Sequence, residues 1–199
     1  MGQYYLIVNI DKKEFIDPSK LGDGIKLLEI VGNRSFSLAG LALLLADGNG
    51  RGGGDFPPDH PLGYLIGRWS GDRIVVAGDY GDALKFVTPE EVKLYRRKTG
   101  SRGKPNLYEV AHTLYDDISE KVLALLLYDP ELQREILEFA LHHLQIVAEY
   151  YARKGTLVTV EKVCDWSRFL RALWDAYRLR GDEEEFVNFV EKYCVLQQT

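Results

Sequence analysis

Hydrophobic and polar positions follow two different rhythms along the chain, and the change falls near Asn106. Gln3 to Ile10, rich in Tyr, Ile and Val, predicts a strand; Asp11-Lys12-Lys13 reads as a turn and Glu14 to Ile16 as the partner in a hairpin. Leu38 to Ala46 is an apolar run ending at Asp47-Gly48. With Ser37 as its cap it reads as a short helix, because a hydroxyl there satisfies a free backbone N–H; a buried strand is the alternative. Tyr64 to Trp69 and Arg73 to Gly78 flank Ser70-Gly71-Asp72, a three-residue loop with the glycine that tight hairpins use, and predict a second strand pair.

Beyond Asn106 the period becomes helical. Leu107 to Tyr128 reads as a helix with a break near Asp116 or Ser119, and Pro130 starts the next. From there to Arg153, Glu131, Glu135, Glu138, His142, Gln145 and Glu149 make one polar stripe, and Leu137, Ala140, Leu144, Val147 and Tyr151 an apolar one. A third helix is expected from about Thr159 to Arg180, stopped by Gly181, with Val163, Trp166, Leu170, Leu173 and Tyr177 inward. A fourth follows from Glu183 to about Leu196.

Composition sharpens the same division. Seventeen of the 19 glycines and six of the seven prolines precede Asn106. Residues 1–105 carry 15 basic and 13 acidic side chains, and residues 106–199 carry 10 and 17, so the front is nearly neutral and the back acidic. The expectation is an α+β protein. A small, largely antiparallel N-terminal sheet with one or two short helices (1–105) is packed with a C-terminal bundle of about four helices (106–199), the two parts forming either two domains or one continuous domain.

No apolar run approaches the roughly 20 residues that span a bilayer, and no secretory pattern opens the chain, so the expected compartment is the cytoplasm with no membrane partner. Cys164 and Cys194 lie in helical patterns and read as a buried thiol pair, with a disulfide as an alternative if the source is a thermophile. The single Met and few Asn and Gln favour such a source.

Three segments carry candidate chemistry. Between Asp47 and Asp55 lie five glycines, Asn49 and Arg51. The spacing fits GxGxxG, but Pro57, Pro58 and Pro61 stand where a phosphate-binding helix would start; as an EF-hand loop it has Arg51 at a ligand position and Pro58 in place of the bidentate Glu. What remains is a surface loop or a flap in which Asp47, Asn49, Arg51 and Asp55 bind a ligand, Arg51 clamping a small anion. Asp72, Asp79 and Asp82 flank the Arg73 to Gly78 strand and read as turn residues or as ligands of a divalent cation such as Mg²⁺, although the DxH and GNH elements of metallophosphoesterases are missing. Tyr95, Arg96, Arg97, Lys98, Arg102 and Lys104 form the basic cluster. They read as a solvated, hairpin-like segment or as a phosphate grip with Tyr95 stacking on a base, against which the sequence pI near 5.5 weighs. His142 and His143 match neither HExxH nor ExxH, and Asp182 to Glu185 reads as a helix cap.

The blocks MGQYYLIVN, LLADGNGRGGGD and GDRIVVAGDYGD resemble a set of uncharacterised prokaryotic proteins that share these segments. The resemblance implies a bacterial or archaeal source and carries no catalytic residue. The function expected first is a non-catalytic binding or assembly protein with its ligand or partner surface on the N-terminal half, the helical half serving self-association. The alternatives are a metal-dependent hydrolase of a phosphate-containing substrate using Asp72, Asp79 and Asp82, and nucleic-acid binding through residues 93–104.

Overall fold

A computed structural model of the chain describes residues 2–32, 34–49, 56–57 and 59–194. The protein is α+β, with a four-stranded mixed sheet and more helices than the sequence pattern indicates. Its contacts divide it into two compact units, Met1–Pro18 with Asp23–Ser119, and Ser19–Gly22 with Glu120–Thr199.

The first unit holds the sheet. β1 (Tyr5–Asn9) lies between β2 (Glu14–Ile16) and β3 (Ile74–Gly78), antiparallel to both, while β4 (Asp116–Asp117) runs parallel to β2, giving the order β3-β1-β2-β4. Ile7 opposes Ile16 in the hairpin expected from the sequence. The second expected hairpin does not form. Gly63–Leu65 is a 3₁₀ turn, and the residues after it are strapped to the end of a helix, α2 (Phe36–Leu45): Gly67 N–H donates to Leu43 O at 2.9 Å and Trp69 N–H to Leu44 O at 2.8 Å. Gly67 has φ +74°, and a Cβ there would lie 2.6 Å from Ala46 O, so this crossing requires glycine. β3 takes β1 as its partner instead.

Helix α2 follows the one-turn α1 (Leu27–Ile30) and is capped by Ser35, not Ser37: Ser35 Oγ accepts from Leu38 N–H at 3.1 Å. Asp23 completes the end by accepting from the N–H groups of Phe36 and Ser37. α3 (Pro89–Thr99) and α4 (Leu107–Leu114) complete a core in which Leu6, Val8, Phe15 and Ala77 of the sheet join Tyr95, Leu107, Val110 and Tyr115. The break expected near Asp116 is present, and it has a tertiary cause. Asp116 N–H donates to Lys13 O at 2.9 Å and Ile118 N–H to Phe15 O at 3.0 Å, recruiting the chain to the edge of β2 before α5 (Ser119–Leu126) begins.

The second unit contains α6 (Pro130–Arg153), α7 (Val160–Trp166), α8 (Arg168–Arg180) and α9 (Glu183–Cys194). Asp129 caps α6 through the N–H groups of Glu131 and Leu132. The single helix expected from Thr159 to Arg180 is two, because Ser167 is extended and its Oγ accepts from Leu170 N–H to start α8. Trp166, expected inward, is consequently exposed. Cys164 and Cys194 are buried free thiols, each pushed up to about 11 by burial. No described helix is long and apolar enough to cross a membrane.

Candidate functional site: a cleft beside the open edge of β3

β3 is an edge strand, and its sequence IVVAG has neither charge nor proline. Asp79 N–H donates to Tyr4 O and Ile10 N–H to Arg73 O, which fixes the alternation of the ladder. Arg73, Val75, Ala77 and Asp79 turn their main chain toward β1, and Ile74, Val76 and Gly78 turn theirs outward. Gly78 O is taken by Gly81 N–H at 2.9 Å. Among the described residues the outward N–H and C=O groups of Ile74 and Val76 have no partner and form an open main-chain edge, and Val76 is 44% exposed beside it.

A cleft of about 290 Å³ runs along this edge. It is lined by Val75 to Gly78 of β3, by Gln3 and by Tyr5 of β1, and by Tyr80, Asp82, Lys85 and Phe86 of the segment that follows β3. Tyr5 Oη donates to Gln3 Oε1 at 2.8 Å. The segment after β3 is tethered at two points. Asn106, itself the cap of α4, donates its Nδ2 to Asp79 O at 2.8 Å, and Leu84 N–H donates to Pro105 O at 2.9 Å.

Leu84 and Phe86 both sit in the left-handed region, at φ 65° and 62°. A non-glycine residue held there costs on the order of 1–2 kcal/mol. Two rings stand exposed at the cleft, Tyr80 at 65% and Phe86 at 48%. Lys85 lies between them in sequence, its ammonium 3.4 Å from Asp82 and 5.5 Å from the Phe86 ring centroid. The site therefore offers main-chain donors and acceptors at two-residue spacing, aromatic surface and one solvated ion pair. Among the described residues its lining includes no Ser, Cys or His.

The three expected carboxylates do not converge. Asp72 and Asp79 bracket β3, on the order of 20 Å apart at about 3.3 Å per residue. Asp72 accepts from Asn9 Nδ2 at 2.8 Å and pairs with Lys12 at 3.2 Å; the Asn9 bond, with Lys12, outweighs desolvation and holds its carboxyl below the usual range. Asp79 accepts from Tyr4 N–H at 3.0 Å, and only Asp82 of the three lines the cleft. Among the described residues no group of three or more His, Cys, Asp or Glu side chains is arranged to hold a metal ion.

In the glycine-rich segment, Asp47 is exposed just beyond α2. Asn49 spends both ends of its amide on Phe56, accepting from its N–H at 3.0 Å and donating to its C=O at 3.1 Å. Arg51 and Asp55 lie outside the described residues.

The basic segment is the end of a helix rather than a hairpin. Tyr95 is buried in the core with its hydroxyl toward Glu109, so its ring is closed to a base. Arg96 donates to Gly103 O and Lys98 to Thr113 O, while Arg97, Arg102 and Lys104 are exposed. Cations in the last turn of α3 complement its negative end.

Sequence reasoning passed over Gln3, Tyr5, Tyr80, Lys85 and Phe86. The available signal was two aromatic residues, Tyr80 and Phe86, in the stretch between Gly78 and Thr88 that also carries Asp79, Asp82 and Lys85. Compared with family models, curated proteins and solved structures, the chain matches none.

Proposed function

We propose that the protein is a non-catalytic binding module whose sheet-bearing unit takes an extended peptide segment along β3. The observation that carries this reading is the open edge itself. Soluble proteins ordinarily blunt an exposed edge with lysine, proline or a bulge, and IVVAG has none of these. Outward N–H and C=O groups two residues apart match the repeat of another extended main chain, and the rings of Tyr80 and Phe86 supply apolar contacts for alternate side chains of the added strand.

The test is a display selection of random decapeptides against the full chain, followed by titration of the best binder into wild type and Val76→Pro. Proline at 76 removes an outward N–H without touching the bonds to β1, so the fold survives and affinity falls about tenfold or more. Amide shifts in the wild-type titration are expected at Ile74, Val76, Lys85 and Phe86. Failure of the selection, or binders that Val76→Pro leaves unaffected, would overturn the reading.

A further inference from the structure

A second surface lies on the helical unit. α6 and α9 start from the same end, since Arg180 at the end of α8 donates Nη1 to Leu127 O at 2.7 Å just before α6 begins. Between them runs a groove of about 460 Å³ whose apolar lining includes Leu137, Leu141, Phe189 and Tyr193. Each of these four side chains is only partly covered.

Four charges rim the groove: Arg134 and Glu138, one turn apart on α6, and Glu185 and Lys192, two turns apart on α9. All four are exposed, and among the described residues none of them forms an ion pair within the chain. The signs alternate around the rim. Because the two helices start from the same end, Arg134 and Glu185 stand at positions toward the start of the groove, and Glu138 and Lys192 at positions farther along it.

A four-cornered rim of alternating sign is complementary to a copy of itself. With a two-fold axis laid along the groove, Arg134 meets the second copy's Glu185 and Glu138 meets its Lys192. With the axis laid across the groove, Arg134 meets the second copy's Glu138 and Glu185 meets its Lys192. Every opposed pair is attractive in both arrangements, whereas a rim of one sign would repel its copy. We infer that this groove is the face on which two copies of the chain associate, Leu137, Leu141, Phe189 and Tyr193 closing against their equivalents.

Sedimentation velocity of the full chain, from about 1 to about 200 µM, tests it. The expected result is a reversible dimer with a Kd on the order of 10 µM, weakened several-fold when salt rises from about 0.05 to about 0.5 M. Arg134→Glu, at an exposed position, is expected to weaken the dimer about tenfold or more. Adding Glu185→Arg restores association if the axis runs along the groove; adding Glu138→Arg restores it if the axis runs across. A chain that remains monomeric throughout the range, leaving the groove to a foreign partner, overturns the inference. So does a dimer indifferent to Arg134→Glu, or one that neither second substitution restores.

Discussion

The two units are held together by different physics. The buried polar side chains found among the described residues, Asn9, Glu14, Asp17, Ser37, Glu91, Asn106 and Ser119, all belong to the sheet-bearing unit, whereas the buried interior described for the helical unit is apolar. In the sheet unit, consecutive residues of the β1–β2 turn and the start of β2 reach distant partners: Asp11 binds Arg73, Lys12 binds Asp72, Lys13 binds Glu91 and Glu14 binds Arg68. Glu14 also accepts from the buried Trp69 Nε1 at 2.8 Å. The helical unit relies on Ile136, Leu144, Leu170, Leu173 and Phe186, all fully covered. A short sheet with an open edge has little apolar area to set its register, so partner-specific pairing does that work; the amphipathic helices α6, α8 and α9 have apolar stripes enough.

The sharpest way to break this comparison is to open a hole in the helical unit. Phe186, packed with Trp174 and Tyr177, is fully buried, and Phe186→Ala is expected to cost about 4 kcal/mol in urea unfolding. Phe186→Leu, which keeps most of the volume, is expected to cost no more than about 1.5 kcal/mol. Equal losses would mean that the ring has a role beyond filling space.

Next in size is Glu14→Ala, expected to cost about 3 kcal/mol, because it strands the half-buried Arg68 guanidinium and the Trp69 N–H together. Hydrogen exchange read separately for the two units is expected to place that loss in the sheet unit. A cost under about 1 kcal/mol would remove polar pairing from the explanation.

Acidification is expected to separate the units by pH. Burial, with His142 adjacent, holds His143 below its ordinary value. Its stabilising share is therefore full above the unfolded pKa of about 6.5 and is lost as pH falls through the folded value. At Glu91 burial pushes the carboxyl up, but bonds from Thr88, Tyr115 and Lys13 outweigh it and hold the group low. Its share is full above about pH 4.3 and is lost below that. Asp23, held high by burial, has the opposite sign: its share is full below its unfolded pKa and is lost as pH rises through the folded value, which blunts the acid loss. Amide protection should loosen first in the helical unit, as pH falls below about 6.5, and in the sheet unit only below about pH 4.5. His143→Asn should flatten the first step and Glu91→Gln the second. A common window for both would show that the signs are misassigned.

The smallest effect belongs to the helical surface. Arg153 and Glu149 are 3.4 Å apart and well exposed, so Arg153→Ala is expected to change stability by less than about 0.5 kcal/mol.

Much of this was legible in the sequence where the cause is local. The hairpin of β1 and β2, the Pro130 start of α6 and the Gly181 stop of α8 depend on alternation, on proline's fit to a first helical turn and on glycine's tolerance of positive φ, each contained within a few residues. Tyr64 to Trp69 was misread because its apolar residues are equally consistent with a strand and with a strap bonded to Leu43 and Leu44, and only the second partner decides between them. Trp166 shows the same limit, since a one-residue break at Ser167 turned it out of the stripe.

The sequence by itself determined the α+β class and the shift from a glycine-rich front to a helical back, because periodicity and composition are properties of neighbouring residues. Tertiary structure alone decided that α4, helical in composition like the back, belongs by contact to the sheet unit. It also decided that Asp72 and Asp79 sit at opposite ends of one strand, and that β3 pairs with β1 and leaves an open edge lined by Tyr80 and Phe86. Strand order and side-chain convergence depend on which apolar faces meet at long range, and no local pattern encodes that choice.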